Sequence, residues 1–134
     1  MEVLALHASR ETQTPVYSCG QGGGRDPPMK PDLLVESVRL FRSRGGVGTV
    51  NCNTNASRTA AVERLAPAGL SSIRVSLNSA RPEVYERYYR PHGYSFDDVR
   101  RSIAVARKNG LWVSLNLLFF PGVTDSEGEL EALA

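Results

Sequence analysis

Residues 72–79 read Ser72-Ile73-Arg74-Val75-Ser76-Leu77-Asn78-Ser79, which predicts a β-strand with small polar residues at its carboxyl end. Apolar and polar residues alternate through Leu77 with the period of a β-strand, and small polar residues follow immediately. A strand buried in a parallel sheet has no need of polar residues at its carboxyl end. A ligand that lies across that end does need them, and parallel α/β folds bind their ligands there.

The same pattern occurs in two neighbouring segments. A strand predicted over 47–53 ends in Asn53-Thr54-Asn55, and the apolar run 111–120 is interrupted by Asn116 and followed by Pro121-Gly122. Residues 15–19 suit a further short strand. Segments with helical periodicity separate these strands, from Pro31, Ser57, Pro82, Ser95 and Asp125 onward. Four strands that alternate with helices predict an α/β fold with a parallel sheet built from (β/α) repeats.

Local signals predict where individual elements begin and end. Ser57 is a plausible N-cap, and Ser95 with Asp98 three residues later has the spacing of a capping box. Pro67 fits poorly in a helix because it removes a hydrogen bond. The run 111–120 is typical of a strand buried on both faces. Tyr85, Tyr88 and Tyr89 are interpreted as packing residues.

Composition narrows the function further. The chain has 134 residues, the size of one domain, whereas a complete parallel barrel takes about 250. A net charge of +2 gives no sign of nucleic acid or an anionic membrane as a partner, and no apolar run is long enough to span a bilayer. Cys19 and Cys52 make no disulfide framework, so we expect free, buried thiols in the cytoplasm.

Glycine is concentrated after the first predicted strand. Gly20 and residues 22–24 supply four glycines in five positions, followed by Arg25, Asp26 and two prolines. Such a loop either exposes backbone N–H groups to a ligand or is a plain flexible loop. Composition alone leaves both interpretations open.

Four segments together resemble the radical S-adenosylmethionine (radical SAM) enzymes. Residues 48–57 resemble the third strand and following turn of that family, and residues 68–79 resemble its fourth strand. Residues 88–96, Tyr-Tyr-Arg-Pro-His-Gly-Tyr-Ser-Phe, match the next family segment at every fixed position. Residues 114–116 and 120–125 resemble the fifth strand and its loop. The resemblance covers roughly residues 15–134.

The resemblance implies part of a partial TIM barrel that binds a small-molecule cofactor. In this family a Cys-x3-Cys-x2-Cys loop holds a [4Fe–4S] cluster, which with S-adenosylmethionine generates a 5′-deoxyadenosyl radical. Neutral hydrogen-bonding groups at the strand ends suit such a zwitterionic cofactor. The residues that the resemblance assigns to cofactor binding are Gly20, Gly22, Asp26, Asn53, Thr54, Asn55, Ser76, Asn78, Asn116, Pro121 and Gly122. No catalytic residue and no metal ligand is assigned.

The chain departs from the family pattern in two places. It lacks the cysteine motif, so the cluster ligands are absent, and Arg25-Asp26 replaces the glycine and glutamate expected before a proline. We therefore expect residues 15–134 to be a partial core domain truncated at both ends, with residues 1–14 divergent or disordered, and inactive alone. A small α/β nucleotide- or phosphate-binding module and a degenerate non-catalytic paralogue remain as alternatives. The substrate is not indicated.

Overall fold

A computed structural model describes residues 14–20 and 26–134 of the chain. The described strands are β1 (Val16–Cys19), β2 (Thr49–Thr54), β3 (Ser72–Leu77) and β4 (Trp112–Leu117). The described α-helices are α1 (Pro31–Ser43), α2 (Thr59–Ala68), α3 (Pro82–Tyr89), α4 (Phe96–Lys108) and α5 (Glu127–Leu133), and a short 3₁₀ helix (Pro27–Met29) precedes α1.

The four strands form one parallel sheet in the order β1-β2-β3-β4, which confirms the predicted fold class. Each strand pairs with the next along the chain, and the register places Cys19 opposite Cys52, and Ser76 opposite Asn116. Because all strands run in one direction, their carboxyl ends meet at one rim of the sheet. The polar segments that the sequence places after each strand are therefore gathered at that rim.

The described helices pack on one face of the sheet, and none of them covers the other face, which is called the open face below. The core joins Cys52, Ile73, Val75 and Leu77 of the central strands to residues of all of α1–α4, including Val35 and Tyr85. Successive side chains of a strand point to opposite faces. The residues between these core positions therefore face away from the helices.

Helix ends agree with the sequence at one site and differ at another. Ser95 caps α4 with the predicted capping box, in which its hydroxyl accepts from the Asp98 amide and the Asp98 side chain accepts from the Ser95 amide. The prediction that Ser57 caps α2 is wrong, because the helix begins at Thr59 and the Ser57 amide donates instead to Asn55 Oδ1 at 3.0 Å. Pro67 lies in the last turn of α2, where the helix ends one residue later.

The amino-terminal rim of the sheet is held by one arginine. Arg42 of α1 donates to the carbonyls of Gly46, Gly48 and Gly69 at 2.9–3.0 Å, and to Ser71 Oγ at 3.0 Å. These bonds join the loop between α1 and β2 to the loop between α2 and β3. Gly69 has φ +101°, and a Cβ there would lie 2.7 Å from Arg42 Cγ, so the position requires glycine.

The last strand differs from its prediction. The run 111–120 was predicted to be a strand buried on both faces, but β4 ends at Leu117 and lies at the edge of the sheet. Trp112 is 74% exposed and Leu117 46% exposed. Apolar composition predicted burial, whereas an edge position within the described residues leaves one side of the strand without a neighbour.

The aromatic side chains behave mainly as predicted. Tyr85 is fully buried against Tyr89 and Phe96, with ring centroids 4.7 and 4.9 Å away, while Tyr88 is half exposed at the rim of the sheet. No helix among the described residues is long and apolar enough to cross a membrane.

Candidate functional site at the carboxyl rim and open face of the sheet

Polar side chains of all four strands lie on the open face of the sheet, together with the apolar Val16 and Trp112 at the starts of β1 and β4. Alternation places the following side chains on it: Ser18 of β1, Asn51 and Asn53 of β2, Ser72, Arg74 and Ser76 of β3, and Ser114 and Asn116 of β4. Arg74 is the one charged residue in this set. A sheet face that was simply packed against another layer would carry apolar side chains instead.

A hydrogen-bond network fixes the β1–β3 part of this face. Asn51 donates from Nδ2 to Ser18 Oγ at 2.9 Å and to Asn53 Oδ1 at 3.1 Å, and its Oδ1 accepts from Ser72 Oγ at 2.8 Å. Asn51 thus uses both ends of its amide within the sheet. The network orients polar groups on three adjacent strands, and the orientation does not depend on a ligand.

Ser76 and Asn116 lie side by side at the carboxyl end of the same face. They are Cα partners in the register of β3 and β4. Ser76 is half-buried and Asn116 is exposed, so both reach solvent at the rim. Of the site residues predicted from the sequence, this pair and Asn53 occupy the open face.

Asp26 lies at the end of β2, where it accepts two hydrogen bonds. Thr54 Oγ1 donates to its Oδ2 at 3.1 Å and the Asn55 amide donates to its Oδ1 at 3.0 Å. Thr54 also accepts from the Ala56 amide at 2.9 Å, and Thr54 shares the helix-facing parity of Cys52. The structure thus gives Asp26, Thr54 and Asn55 a shared role in shaping the turn after β2.

The position of Asp26 affects its ionisation. Burial raises the pKa of the Asp26 carboxyl above its ordinary value, although hydrogen bonds from Asn55 and Thr54 and the charge of Arg58 act in the opposite direction. A cationic group bound beside this carboxylate would remove part of that penalty.

Gly20 and the pair Pro121-Gly122, which were predicted to contact the cofactor, lie in separate loops of the structure. Gly20 directly follows β1 with φ +83°, and a Cβ there would lie 2.3 Å from the Asn53 carbonyl oxygen, so Gly20 permits close approach of two strand ends. Gly22 lies outside the described residues. Pro121 and Gly122 are exposed in the loop after β4, where the Gly122 amide donates to Asp125 Oδ1 at 2.8 Å.

Asn78 lies behind the rim and not on the open face. Its side chain is 2% exposed, and its Oδ1 has no hydrogen-bond partner among the described residues. It contributes to a cavity of about 260 Å³ between β4 and α5 and to a second one beside α3. A buried acceptor without a partner is costly, and a donor supplied by a ligand would relieve the cost.

Sequence reasoning missed the residue that holds the turn after β3. Glu129 of α5 is 2% exposed, and it accepts from Ser79 Oγ at 2.6 Å, the Ala80 amide at 2.5 Å and Arg81 Nε at 3.2 Å. Burial by itself would raise the pKa of Glu129, but these hydrogen bonds and the Arg81 charge outweigh it and lower the pKa. Because Ser79 and Glu129 are 50 residues apart, no local pattern indicated the contact.

A comparison with known families decides what this arrangement belongs to. The model of the radical SAM superfamily matches residues 13–134, which is nearly the whole chain. The chain belongs to the radical SAM superfamily. The parallel sheet with helices on one face is the corresponding part of a radical SAM barrel, as the sequence predicted.

Curated relatives add a narrower similarity. Over 107 residues the chain is 33% identical to a GTP 3′,8-cyclase of Streptomyces coelicolor (strain ATCC BAA-471 / A3(2) / M145), which covers 78% of this chain and 30% of that relative. It is 35% identical over 105 residues to a probable GTP 3′,8-cyclase of Thermococcus kodakarensis (strain ATCC BAA-918 / JCM 12380 / KOD1), covering 78% and 33%. The chain thus spans about a third of the length of the relatives it matches.

The cysteines of this radical SAM chain do not fit a [4Fe–4S] cluster. Such clusters are held by several thiolates, and the chain contains two cysteines. Cys19 and Cys52 lie opposite each other on adjacent strands, on the helix-facing side, and Cys52 is fully buried. A hydrogen bond from Cys52 lowers the pKa of Cys19, while the same contact and burial raise the pKa of Cys52. The second thiol therefore resists becoming a ligand.

The prediction that both thiols are buried holds for one of them. Cys52 is buried, whereas Cys19 is only half-buried, at the end of β1. Both are free thiols. No group of three or more potential metal-ligating side chains exists in the part of the chain that the structure describes.

Proposed function

We propose that this chain supplies part of the S-adenosylmethionine site of a radical SAM enzyme. The observation that carries the proposal is the pairing of Ser76 with Asn116 at the carboxyl rim of a sheet whose open face is polar and almost uncharged. Membership of the radical SAM superfamily supports the choice of ligand. The assignment of individual residues rests on their position alone.

The residues suit this cofactor in kind. S-adenosylmethionine carries a ribose, an amino group and a carboxylate, all of which form hydrogen bonds with neutral amides and hydroxyls. Ser76 and Asn116 would hold it from the open face, and Asn78 behind the rim has an acceptor without a partner among the described residues. When bound, the cofactor would supply a 5′-deoxyadenosyl radical for hydrogen abstraction, formed with one electron from a [4Fe–4S] cluster that the cysteines of this chain do not hold. Cluster binding is not assigned to these residues, because the two thiols do not fit it.

The two relatives named above also indicate a substrate to test first. Each is a GTP 3′,8-cyclase or a probable one, which favours GTP over other small molecules as the first candidate. The alternative of a nucleotide-binding module would also use the rim of the sheet. The two functions differ in whether the adenosyl cofactor binds.

Titration of the ¹⁵N-labelled full chain with S-adenosylmethionine tests the proposal. We expect the Ser76 and Asn116 amide resonances to shift, and Ser76→Ala or Asn116→Ala to weaken binding a few-fold to tenfold, since one lost hydrogen bond costs about 0.5–1.5 kcal/mol. Ser43→Ala, on the exposed side of α1, is the matched control. If millimolar cofactor leaves the rim resonances unmoved, the proposed cofactor site is wrong.

A further inference from the structure

Arg74 occupies an unusual place on the open face. It lies in the middle of β3, and the register flanks it with Asn53 of β2 and Ser114 of β4. Ser72 and Ser76 lie two residues away on the same face. Arg74 is exposed, and the residues beside it in the register of the sheet are neutral and polar.

No described residue neutralises this charge. Arg74 makes no ion pair with the acidic side chains of the described part of the chain, whose pairs involve Arg64, Arg81, Arg100 and Arg101. The other exposed arginines of the described residues lie on helices or in loops, whereas Arg74 lies within a strand.

We propose that Arg74 binds an oxyanion of the substrate, a phosphate or a carboxylate group, that lies on the open face of the sheet. The inference rests on the proposed function for the location of the ligand but not for its chemistry. A guanidinium presents two parallel N–H donors that match a carboxylate or phosphate edge. Asn53 and Ser114 on either side add neutral donors without competing for the charge.

Its depth assigns the anion to the substrate and not to the cofactor. Arg74 lies two residues before Ser76 along β3, which is about 6–7 Å farther from the carboxyl rim. A cofactor held by Ser76 and Asn116 at the rim leaves this lower part of the face to the second ligand. Arg74 is thus a specificity-determining residue that favours anionic substrates over neutral ones.

The test uses the full chain with pyrophosphate and malonate as separate probes at low ionic strength, and follows the Arg74 Nε–Hε resonance. We expect at least one probe to shift this resonance. Arg74→Met should weaken that probe at least fivefold, and Arg74→Lys should restore part of the affinity. Arg39→Met, which removes an exposed arginine of α1, should change nothing. The stronger of the two probes identifies phosphate or carboxylate as the preferred anion.

A second titration separates this inference from the proposed function. We expect S-adenosylmethionine and its decarboxylated analogue to bind Arg74→Met as they bind the unaltered chain. If Arg74→Met weakens S-adenosylmethionine alone, the guanidinium serves the cofactor carboxylate and the substrate assignment is overturned. Failure of both anions to move the Arg74 resonance also overturns it. Anion binding without cofactor binding would contradict the proposed function and leave the role of Arg74 intact.

Discussion

The Arg42 guanidinium donates four hydrogen bonds, three to backbone carbonyls and one to the Ser71 hydroxyl. Ser71 Oγ in turn accepts from the Val50 amide at 3.1 Å. Arg42 is therefore connected to the start of β2 both through the Gly48 carbonyl and through the Ser71 hydroxyl. Loops at the amino-terminal rim of a parallel barrel serve stability rather than chemistry. Arg42 performs this structural role at the end opposite the candidate site.

Replacing Arg42 with methionine should therefore destabilise the fold without touching the open face. Buried acceptors left without a donor cost about 1–3 kcal/mol each, partly offset where water reaches them, so we expect a loss of about 2–4 kcal/mol. Urea unfolding measures the change. Arg64→Met is the matched control: it removes an exposed ion pair with Asp32 and should cost about 0–1 kcal/mol. Equal losses of stability in the two variants would contradict this structural role of Arg42.

Residue patterns predicted the open face only in part. Alternation along β3 places Ser72, Arg74 and Ser76 on one face, so this part of the open face follows from the sequence. The pattern of polar strand ends, in contrast, indicates Ser76 but not Arg74 or Ser72. Asp26 shows the opposite case. The resemblance assigns Asp26 to the cofactor, and the folded chain adds that its carboxylate accepts from Thr54 and Asn55, which no local pattern indicates.

Among the secondary-structure elements, α5 depends on a single buried carboxylate. Glu129 joins this seven-residue helix to the turn after β3 through Ser79, Ala80 and Arg81. A helix this short has little stability of its own. The position of the turn beside Asn78 and the position of α5 are therefore coupled through Glu129.

Glu129→Gln should loosen α5 and alter the acid response of the fold. Hydrogen bonds to a charged group contribute about 1.5–3 kcal/mol, so we expect a loss of about 2–3 kcal/mol at neutral pH. Because folding lowers the pKa of Glu129, its contribution is present above the unfolded value of about 4.3 and is lost as the pH falls through the folded pKa. The difference in free energy of unfolding between the unaltered chain and Glu129→Gln should therefore shrink in that pH range.

Urea unfolding of both proteins between neutral and acidic pH measures this dependence. Glu127→Gln is the control, since Glu127 is exposed in the first turn of the same helix. Its curve should follow that of the unaltered chain at every pH. A pH-independent gap between the unaltered chain and Glu129→Gln would show that the ionised carboxylate is not the source of the stability.

Across the elements, the type and order of helices and strands were predicted better than their boundaries and their burial. The alternation of strands and helices and the capping box of α4 follow from local periodicity, so they could be predicted from the sequence. The burial of β4 could not be, because burial depends on which element lies beside the strand. Leu115 and Leu117 are apolar in either case, yet both are more than 40% exposed.

For the whole molecule, the consequence is an apolar edge. β4 exposes Trp112, Leu115 and Leu117, and the following residues Leu118 and Phe119 extend the patch. An edge strand of this kind presents unpaired backbone groups beside apolar side chains, a combination that promotes association. Association of the chain should therefore proceed through β4.

We expect the purified chain to sediment as oligomers whose proportion rises with concentration, and Leu115→Lys to shift it toward monomer. A lysine on an edge strand opposes pairing by its charge and hydration, while the site is exposed enough to accept it. Leu33→Lys makes the same substitution at an exposed leucine of α1 and should leave the proportion of oligomers unchanged. Sedimentation velocity over a range of concentrations measures all three proteins. If the unaltered chain is monomeric at every concentration, association through β4 is wrong. If both lysine variants dissociate the oligomer equally, association depends on net charge and not on β4.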